Sequence, residues 1–264
     1  MARIREVTDF LEQIAPLHLQ EDYDNAGLIT GSPEWEVRGV LCALDCTPAV
    51  IEEAIEVGCN LVVSHHPIVF QGLKKLSGDT YIQRAVIQAI RHDVAIYAIH
   101  TNLDNVLQNG VNQRIAERIE LEKCRILDPR DESGEIGAGL VGELRNGMKP
   151  DDFLSHLQTR FELEIIRYTP VSENRNLQRI AVCGGSGSFL LEKAILANAD
   201  AFVTSDFKYH QFFDADNRIM VLDIGHYESE KFTIQLLFEL ISNNFSNFAA
   251  QMTKVNTNPV RYFK

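Results

Sequence analysis

The sequence feature that most restricts the possible fold of this chain is a strand–helix–strand pattern in its first third. Gly39 to Asp45 and Asn60 to Ser64 are apolar runs typical of buried strands. Between them, Pro48 to Val57 has helical spacing, with Thr47 at the N-cap position and a proline in the first turn. Such a unit predicts two parallel strands joined by a right-handed crossover. We therefore predict an α/β fold with mainly parallel sheets.

The second strand of this unit leads into two adjacent histidines and a proline, His65, His66 and Pro67. Neighbouring side chains in a strand point to opposite faces, so we expect the strand to end at Ser64 and a turn to bring both rings to one site. Pro67 favours such a turn because it has no N–H to donate and biases His66 towards extended geometry. Taken alone, the pair is more typical of a polar loop than of a ligand site.

Two further strand ends carry side chains of the same kind. The predicted strand Val94 to Ile99 is followed by His100 and Asp104. A later predicted strand is followed by His226 and Glu230, which lie four residues apart on one face if a helix begins near His226. Because parallel strands end at the same edge of a sheet, these side chains can converge.

The number of candidate ligands indicates more than one ion. With His100 set aside, three histidines and two carboxylates are still too many for one tetrahedral zinc ion with an open position, and they suit two ions bridged by Asp104 or Glu230. Such ligands fit zinc, iron, manganese, cobalt or nickel, and the sequence does not choose among them. We interpret His100 and its neighbour Thr101 as supporting groups that hold a ligand in place.

Three other polar loops allow more than one interpretation. Thr204 to His210 follows a strand, and Asp206 and His210 could line a substrate pocket, although a helix start capped by Asp206 fits equally well. Gly184 to Ser188 could cradle an anion on backbone N–H groups, but it lacks the lysine of a P-loop and is chiefly a tight turn. The acidic loop Glu21 to Leu28 favours a turn made by its aspartate and asparagine.

Composition limits the partners and the compartment. The formal net charge of −12 argues against nucleic acid as the main partner. A small anionic ligand is compatible with this charge if a metal supplies positive charge locally. No apolar run approaches the ~18 residues that span a bilayer, so we expect no membrane partner. The five scattered cysteines favour reduced thiols in a cytoplasmic protein.

A glycine-rich, partly charged segment from Arg130 to Gly147 predicts a domain boundary, with a short strand at Gly139 to Leu144. We predict a first α/β domain made of residues 1–127 and 226–264, which carries most of the ligands. Residues 128–225 form the predicted second α/β domain.

The ordered set of motifs resembles a known family over nearly the whole chain. The matching stretches are Tyr23–Leu28, Ser64–Pro67, His100–Asp104, Gly184–Ser188, Thr204–Asp206 and Asp223–Glu230. Together they resemble the GTP cyclohydrolase I type 2 homologue family, also called the Nif3-like dinuclear metal proteins.

The resemblance implies two divalent metal ions per subunit and a defined set of ligands. These are His65, His66, Asp104, His226 and Glu230. It also implies two interlocked α/β domains, with the metal site at strand ends in the cleft between them, and a ring-shaped homohexamer. Many members carry an extra domain in the middle of the chain. Leu127 to Gly139 leaves no room for one, so this is a short form.

Our hypothesis is a metal-dependent hydrolase that acts on a small anionic or nucleotide-like substrate, with a metal-bridging water as the nucleophile. No catalytic residue beyond the ligands is assigned. One alternative is a non-catalytic metal-binding or scaffold protein. The other is a hydrolase that opens a ring of GTP, as the family name suggests.

Overall fold

The computed structural model describes residues 2–263, which form two compact units. Unit 1 takes in residues 2–103 and 232–261 of this range, and unit 2 takes in residues 104–231 and 262–263. Each unit has its own sheet.

The helices and strands of the described residues are numbered along the chain. The α-helices are α1 (Ile4–Ile14), α2 (Pro48–Glu56), α3 (Tyr81–Arg91), α4 (Thr101–Asp104), α5 (Val111–Ile119), α6 (Pro150–Phe161), α7 (Leu191–Leu196), α8 (His226–Glu230) and α9 (Thr233–Asn244). The strands are β1 (Gly27–Thr30), β2 (Gly39–Asp45), β3 (Leu61–His66), β4 (Ala95–Ala98), β5 (Leu121–Pro129), β6 (Gly137–Met148), β7 (Arg167–Tyr168), β8 (Leu177–Ser186), β9 (Ala201–Ser205), β10 (Met220–Asp223) and β11 (Ala249–Met252).

The sheet of unit 1 has the strand order β1-β4-β3-β2-β11. Strands β4, β3, β2 and β11 are parallel, and β1 is antiparallel to β4. Helix α2 joins β2 to β3, and the Thr47 side chain accepts a hydrogen bond from Val50 N in its first turn. The predicted strand–helix–strand unit is therefore confirmed, and the C-terminal ends of β2, β3 and β4 lie at one edge of the sheet.

Helices cover both faces of this sheet because its central strands are apolar on both sides. Leu41, Val62 and Ile96 pack with side chains of α2 and α3 on one face. On the other face, the Tyr97 hydroxyl donates a hydrogen bond to Glu12 of α1 at 3.3 Å. Helix α9 also contacts β2 and β3. The strand ends that carry histidines are thus held by a buried, two-sided core.

The prediction that β3 ends at Ser64 is wrong. The strand continues through His66, which pairs in register with Asp45 of β2. The Ser64 hydroxyl donates to the His66 carbonyl at 2.9 Å and fixes the last two residues. The two histidines are therefore the last two residues of the strand, and no turn precedes them.

The sheet of unit 2 has the order β5-β6-β8-β9-β10-β7. Strands β8, β9 and β10 are parallel, whereas β5, β6 and β7 pair antiparallel with their neighbours. The predicted α/β fold is confirmed, but this second sheet is mixed rather than mainly parallel.

The glycine-rich segment that suggested a linker belongs to a long antiparallel pair, β5 and β6. A Cβ at Gly137, where φ is +152°, would lie 2.2 Å from the Asp128 carbonyl oxygen, and one at Gly142 would lie 2.8 Å from the Cys124 sulfur. Glycine is needed here because the two strands approach closely, and composition alone does not distinguish that need from flexibility.

This strand pair changes the expected domain limits. Helix α5 and most of strand β5 fall within residues 1–127 of the predicted first domain. Both belong to unit 2, because α5 packs on β5, β6 and β8, and β5 pairs with β6. The second division falls between α8 and α9, after residue 231, rather than before residue 226. Helices α8 and α9 therefore belong to different units.

One cluster of the core of unit 2 lies against one face of its sheet. Ala181, Phe202 and Val221 pack there with Leu191 of α7 and with Phe207. Helices α5 and α8 contact β8. Among residues 2–263, none of the helices has both the length and the apolar character required to cross a membrane.

Candidate metal centre

Three histidines of unit 1 form a histidine cluster, His65, His66 and His100. His65 and His66 end β3, and His100 follows β4 by two residues. The ring centroids are 4.9 Å apart for His65–His66, 5.2 Å for His65–His100 and 5.4 Å for His66–His100. One ring nitrogen from each histidine lies within 4.8 Å of the other two. The three rings can therefore serve one metal-binding region.

The two adjacent histidines are each tied to a different neighbouring strand end. His65 Nδ1 is 2.9 Å from the Ile99 carbonyl oxygen, just after β4, and His65 is fully buried. His66 Nδ1 is 2.8 Å from Asp45 Oδ1, at the end of β2. A carbonyl or carboxylate oxygen only accepts, so Nδ1 donates in both rings. This assigns Nε2 as the nitrogen that would meet a metal.

His100 has the same arrangement through Asp24, whose function the sequence interpretation missed. His100 Nδ1 donates to Asp24 Oδ1 at 2.7 Å, and Thr101 N donates to Asp24 Oδ2 at 3.0 Å. Burial opposes ionisation of Asp24, but hydrogen bonds with His100 and Thr101 and the charge of His100 lower its pKa to about 2. Asp24 also accepts from Asn25 N, as the expected turn requires. Its main role is to orient His100, which makes His100 a third candidate ligand.

Three side chains of unit 2 form the His226 group, Asp206, His226 and Glu230. His226 begins α8, as predicted, and its Nε2 lies 3.1 Å from Glu230 Oε2 one turn later. Its Nδ1 donates to Asp206 Oδ2 at 2.7 Å. Burial opposes a positive charge on His226, but hydrogen bonds with both carboxylates, and their charges, raise its pKa to about 11. The ring is thus held between two acids.

The glycine–serine segment at the end of β8 places Glu230. Gly185 has φ +59°, and a Cβ there would lie 2.5 Å from Glu230 Oε1. Gly185 N donates to the Ser229 hydroxyl at 3.0 Å, and that hydroxyl donates to the His226 carbonyl at 2.8 Å. Glu230 is only 3% exposed. The segment is therefore the surface against which the carboxylate rests, not merely a tight turn.

Asp104 ends α4 and is fixed by its backbone. Asn112 Nδ2 donates to the Asp104 carbonyl at 3.0 Å, and Asn112 Oδ1 accepts from Gly184 N at 2.9 Å. Burial raises the pKa of the Cys183 thiol, and the charges of Asp104 and Glu230 raise it further. Both carboxylates therefore lie near the same buried thiol of β8.

Comparison with known proteins places this arrangement in a family. The model of the Duf34/NIF3 (NGG1p interacting factor 3) family matches residues 2–259. The chain belongs to that family.

Relatives and a solved structure agree with this assignment. The GTP cyclohydrolase 1 type 2 homolog of Clostridium acetobutylicum is 34% identical over 230 residues, covering 86% of this chain and 85% of its own. The protein of the same name from Campylobacter jejuni is 31% identical over 263 residues, covering 99% of this chain and 100% of its own. The crystal structure of Staphylococcus aureus hypothetical protein SA1388 has a TM-score of 0.90 at 30% identity, with 99% of each chain covered. The predicted family resemblance is confirmed.

In this Duf34/NIF3 protein, most of the predicted site residues lie in the two clusters. Unit 1 brings together His65, His66, His100 and Thr101, and unit 2 brings together Asp104, Asp206, His226 and Glu230. His210 is the exception, because it lies exposed on the 3₁₀ segment Tyr209–Ala215 with its ring against Tyr209 and Phe213. The sequence analysis missed Asp24, Asp45, Gly185 and Ser229. Of these, Asp45 had a visible signal, since it ends a buried strand.

The donor chemistry fits divalent first-row metal ions. Each cluster offers imidazole nitrogens or carboxylate oxygens, and every candidate histidine is oriented through Nδ1 by an acceptor, as metal-binding histidines commonly are. Among the described residues, the clustered histidine, aspartate and glutamate side chains can therefore bind a metal.

Proposed function

We propose that this Duf34/NIF3 protein binds two divalent metal ions and hydrolyses a small anionic, nucleotide-like substrate. The proposed ligands are His65, His66, Asp104, His226 and Glu230, and His100 is a further candidate that is oriented in the same way as the other histidines. When bound, the two ions supply Lewis acidity, which activates water and stabilises negative charge developing on the substrate.

One observation carries the proposal, the uniform use of Nδ1 in four histidines. His65, His66, His100 and His226 each donate from Nδ1 to an oxygen 2.7–2.9 Å away. A histidine that only fills space or closes a polar network can use either nitrogen. Four rings that all turn Nε2 away from their supporting acceptor favour a ligand role over packing.

The chain's own residues have separable tasks in this proposal. Asp206 and Asp45 hold the rings of His226 and His66, so that each presents Nε2 in a fixed direction. Glu230, held by the segment at Gly185, and Asp104 would supply carboxylate oxygens to the ions.

Metal stoichiometry tests the binding half of the proposal. We expect two equivalents of a first-row metal in the wild-type protein by elemental analysis, and fewer in His66→Ala and Glu230→Gln. His92→Ala is the matched control, because His92 is exposed at the end of α3 and lies outside both clusters. Equal metal content in all four proteins would refute the ligand assignment.

Turnover tests the catalytic half. Metal-loaded protein and the Glu230→Gln variant should be compared on a panel of nucleotides and phosphoesters, with formate release from GTP as a separate assay. We expect metal-dependent turnover of at least one compound by the wild-type protein alone. Two bound ions without turnover of any compound would refute a hydrolase and favour the metal-binding or scaffold role.

We further propose a cytoplasmic homohexamer, on the basis of the family resemblance and the five free thiols. Native mass spectrometry should give the mass of six chains. A monomer at micromolar concentration would contradict this part of the proposal alone.

A further inference from the structure

A cavity in unit 2 lies beside strand β7 and outside the two ligand clusters. Its volume is about 470 Å³. It opens between Arg167–Pro170 on one side and the 3₁₀ segment Tyr209–Ala215 on the other. A cavity of this size is in the range of small-molecule sites. Among the described residues that line it, none is a proposed metal ligand.

Three exposed aromatic rings surround this β7 cavity. Tyr168 is 48% exposed, Tyr209 72% and Phe213 66%. The rings of Tyr209 and Phe213 have centroids 5.5 Å apart and planes at 76°, so they form a corner. A flat ring can stack on one of them and meet the edge of the other, which are the two geometries that aromatic pairs prefer. Large exposed rings gathered around a cavity indicate a binding surface.

Hydrogen bonds outside the cavity hold both of its walls. On the strand side, Thr169 N donates to the Val221 carbonyl of β10 at 3.0 Å. On the other side, Gln211 Nε2 donates to the Ser188 hydroxyl at 3.0 Å. The cavity is therefore formed before any ligand arrives, which reduces the entropic cost of binding.

The charges around the cavity disfavour an anionic ligand. Among the described lining residues, Arg167 carries the only positive charge, and it is matched by an ion pair with the buried Asp223. Arg167 Nη2 also donates to the Phe207 carbonyl at 3.1 Å. Asp216 adds a carboxylate to the lining, and Asn217 adds an amide. The lining thus has acceptors for N–H donors and no surplus positive charge for a phosphate.

We infer that the β7 cavity binds an uncharged planar heteroaromatic ring with N–H donors, of the nucleobase class. The ring stacks in the corner of Tyr209 and Phe213, with its polar edge towards Asp216 and Asn217. Binding here depends on none of the proposed metal ligands, so it can succeed or fail independently of the proposed function.

Calorimetric titration with guanosine, adenosine, cytidine, GMP and ribose 5-phosphate tests the inference, in as-purified and in EDTA-treated protein. We expect at least one nucleoside to bind equally to both preparations. GMP should match guanosine, and ribose 5-phosphate should not bind. Tyr209→Ala and Phe213→Ala should each weaken binding by about tenfold or more, since base stacking on one ring contributes that much.

Phe189→Ala is the matched control, because Phe189 is 64% exposed in the same unit and does not line the cavity. It should leave nucleoside binding unchanged. The inference is overturned if no nucleoside binds at millimolar concentration, or if GMP binds while guanosine does not. It is also overturned if both cavity variants bind like the wild-type protein. Loss of oligomers in Tyr209→Ala without nucleoside binding by the wild-type protein would show that the rings form a subunit interface instead.

Discussion

Replacement of Gly185 by alanine should have two effects, backbone strain and displacement of the Glu230 carboxylate, and a control variant can distinguish them. Gly185 has φ +59°, where an L-residue with a Cβ is strained by about 1–2 kcal/mol. The new Cβ would also lie 2.5 Å from Glu230 Oε1 and 3.3 Å from His226 Cε1. Because Glu230 is almost fully buried, its carboxylate must move to relieve the contact. Loss of a contact that supports a metal ligand typically lowers metal affinity by about 10–100-fold. Displacement of a proposed ligand itself should lower the affinity by at least as much.

Gly134→Ala is the matched control, because Gly134 also lies in unit 2, has φ +72° and has nothing within 4 Å of an added Cβ. Both variants should lose about 1–2 kcal/mol of unfolding free energy in urea titrations, since both carry the same kind of strain. Only Gly185→Ala should bind Zn²⁺ more weakly in calorimetric titration. Wild-type Zn²⁺ affinity in Gly185→Ala would refute the argument that this glycine exists to admit the Glu230 carboxylate.

Three further predictions concern orientation, metal removal and pH. Asp24→Asn should lower Zn²⁺ affinity by about 10–100-fold in equilibrium dialysis, because His100 loses its charged acceptor; unchanged affinity would exclude His100 as a ligand. Chelation should lower the unfolding free energy by about 2.7 kcal/mol for each metal site, relative to protein with free metal at 100 times its Kd, measured in urea. A hydrogen bond from Lys231 lowers the pKa of Glu162 below its ordinary value of 4.5. The stabilisation that the ionised Glu162 carboxylate contributes is therefore present above pH 4.5 and is lost as the pH falls through the lowered pKa. Glu162→Gln should therefore flatten the acid side of the stability–pH profile, and an unchanged profile would contradict this.

The sequence predicted the starts of those helices whose first residues are of a recognisable type, such as a capping threonine followed by proline. Helix α2 starts at Pro48 after Thr47, and α8 starts at His226, both close to the expected positions. Of the β5–β6 pair, the sequence predicted only the part of β6 from Gly139 to Leu144. The rest was missed because the glycines of the pair serve close strand approach, and because β5 is half exposed and lacks a continuous apolar run. A pattern that is typical of a linker and a pattern that is typical of a tight strand pair are alike in composition.

Among the site residues, the sequence showed those that are recognisable from their neighbours along the chain and not those that act through distant contacts. Candidate ligands were recognisable because histidines and carboxylates follow strands at a spacing that can be read along the chain. The residues that hold the candidate ligands in place were not recognisable, because their partners are far away in the sequence. Asp24 lies 76 residues from His100, and the Gly185 contact with Ser229 spans 44 residues. An aspartate in a turn and a glycine after a strand each have a sufficient local explanation. Only the folded structure shows that each of them also contacts a residue distant in the sequence.

The position of β3 in its sheet explains how two adjacent histidines can face one region. Alternation along a strand would send their side chains to opposite faces, but both lie at the strand's end, where each ring reaches a neighbouring strand terminus. His65 donates to Ile99 beyond β4, and His66 donates to Asp45 of β2. An edge strand has a neighbour on one side only and could fix only one of the two rings in this way. The adjacent pair therefore requires a central strand, with β2 and β4 each supplying one acceptor.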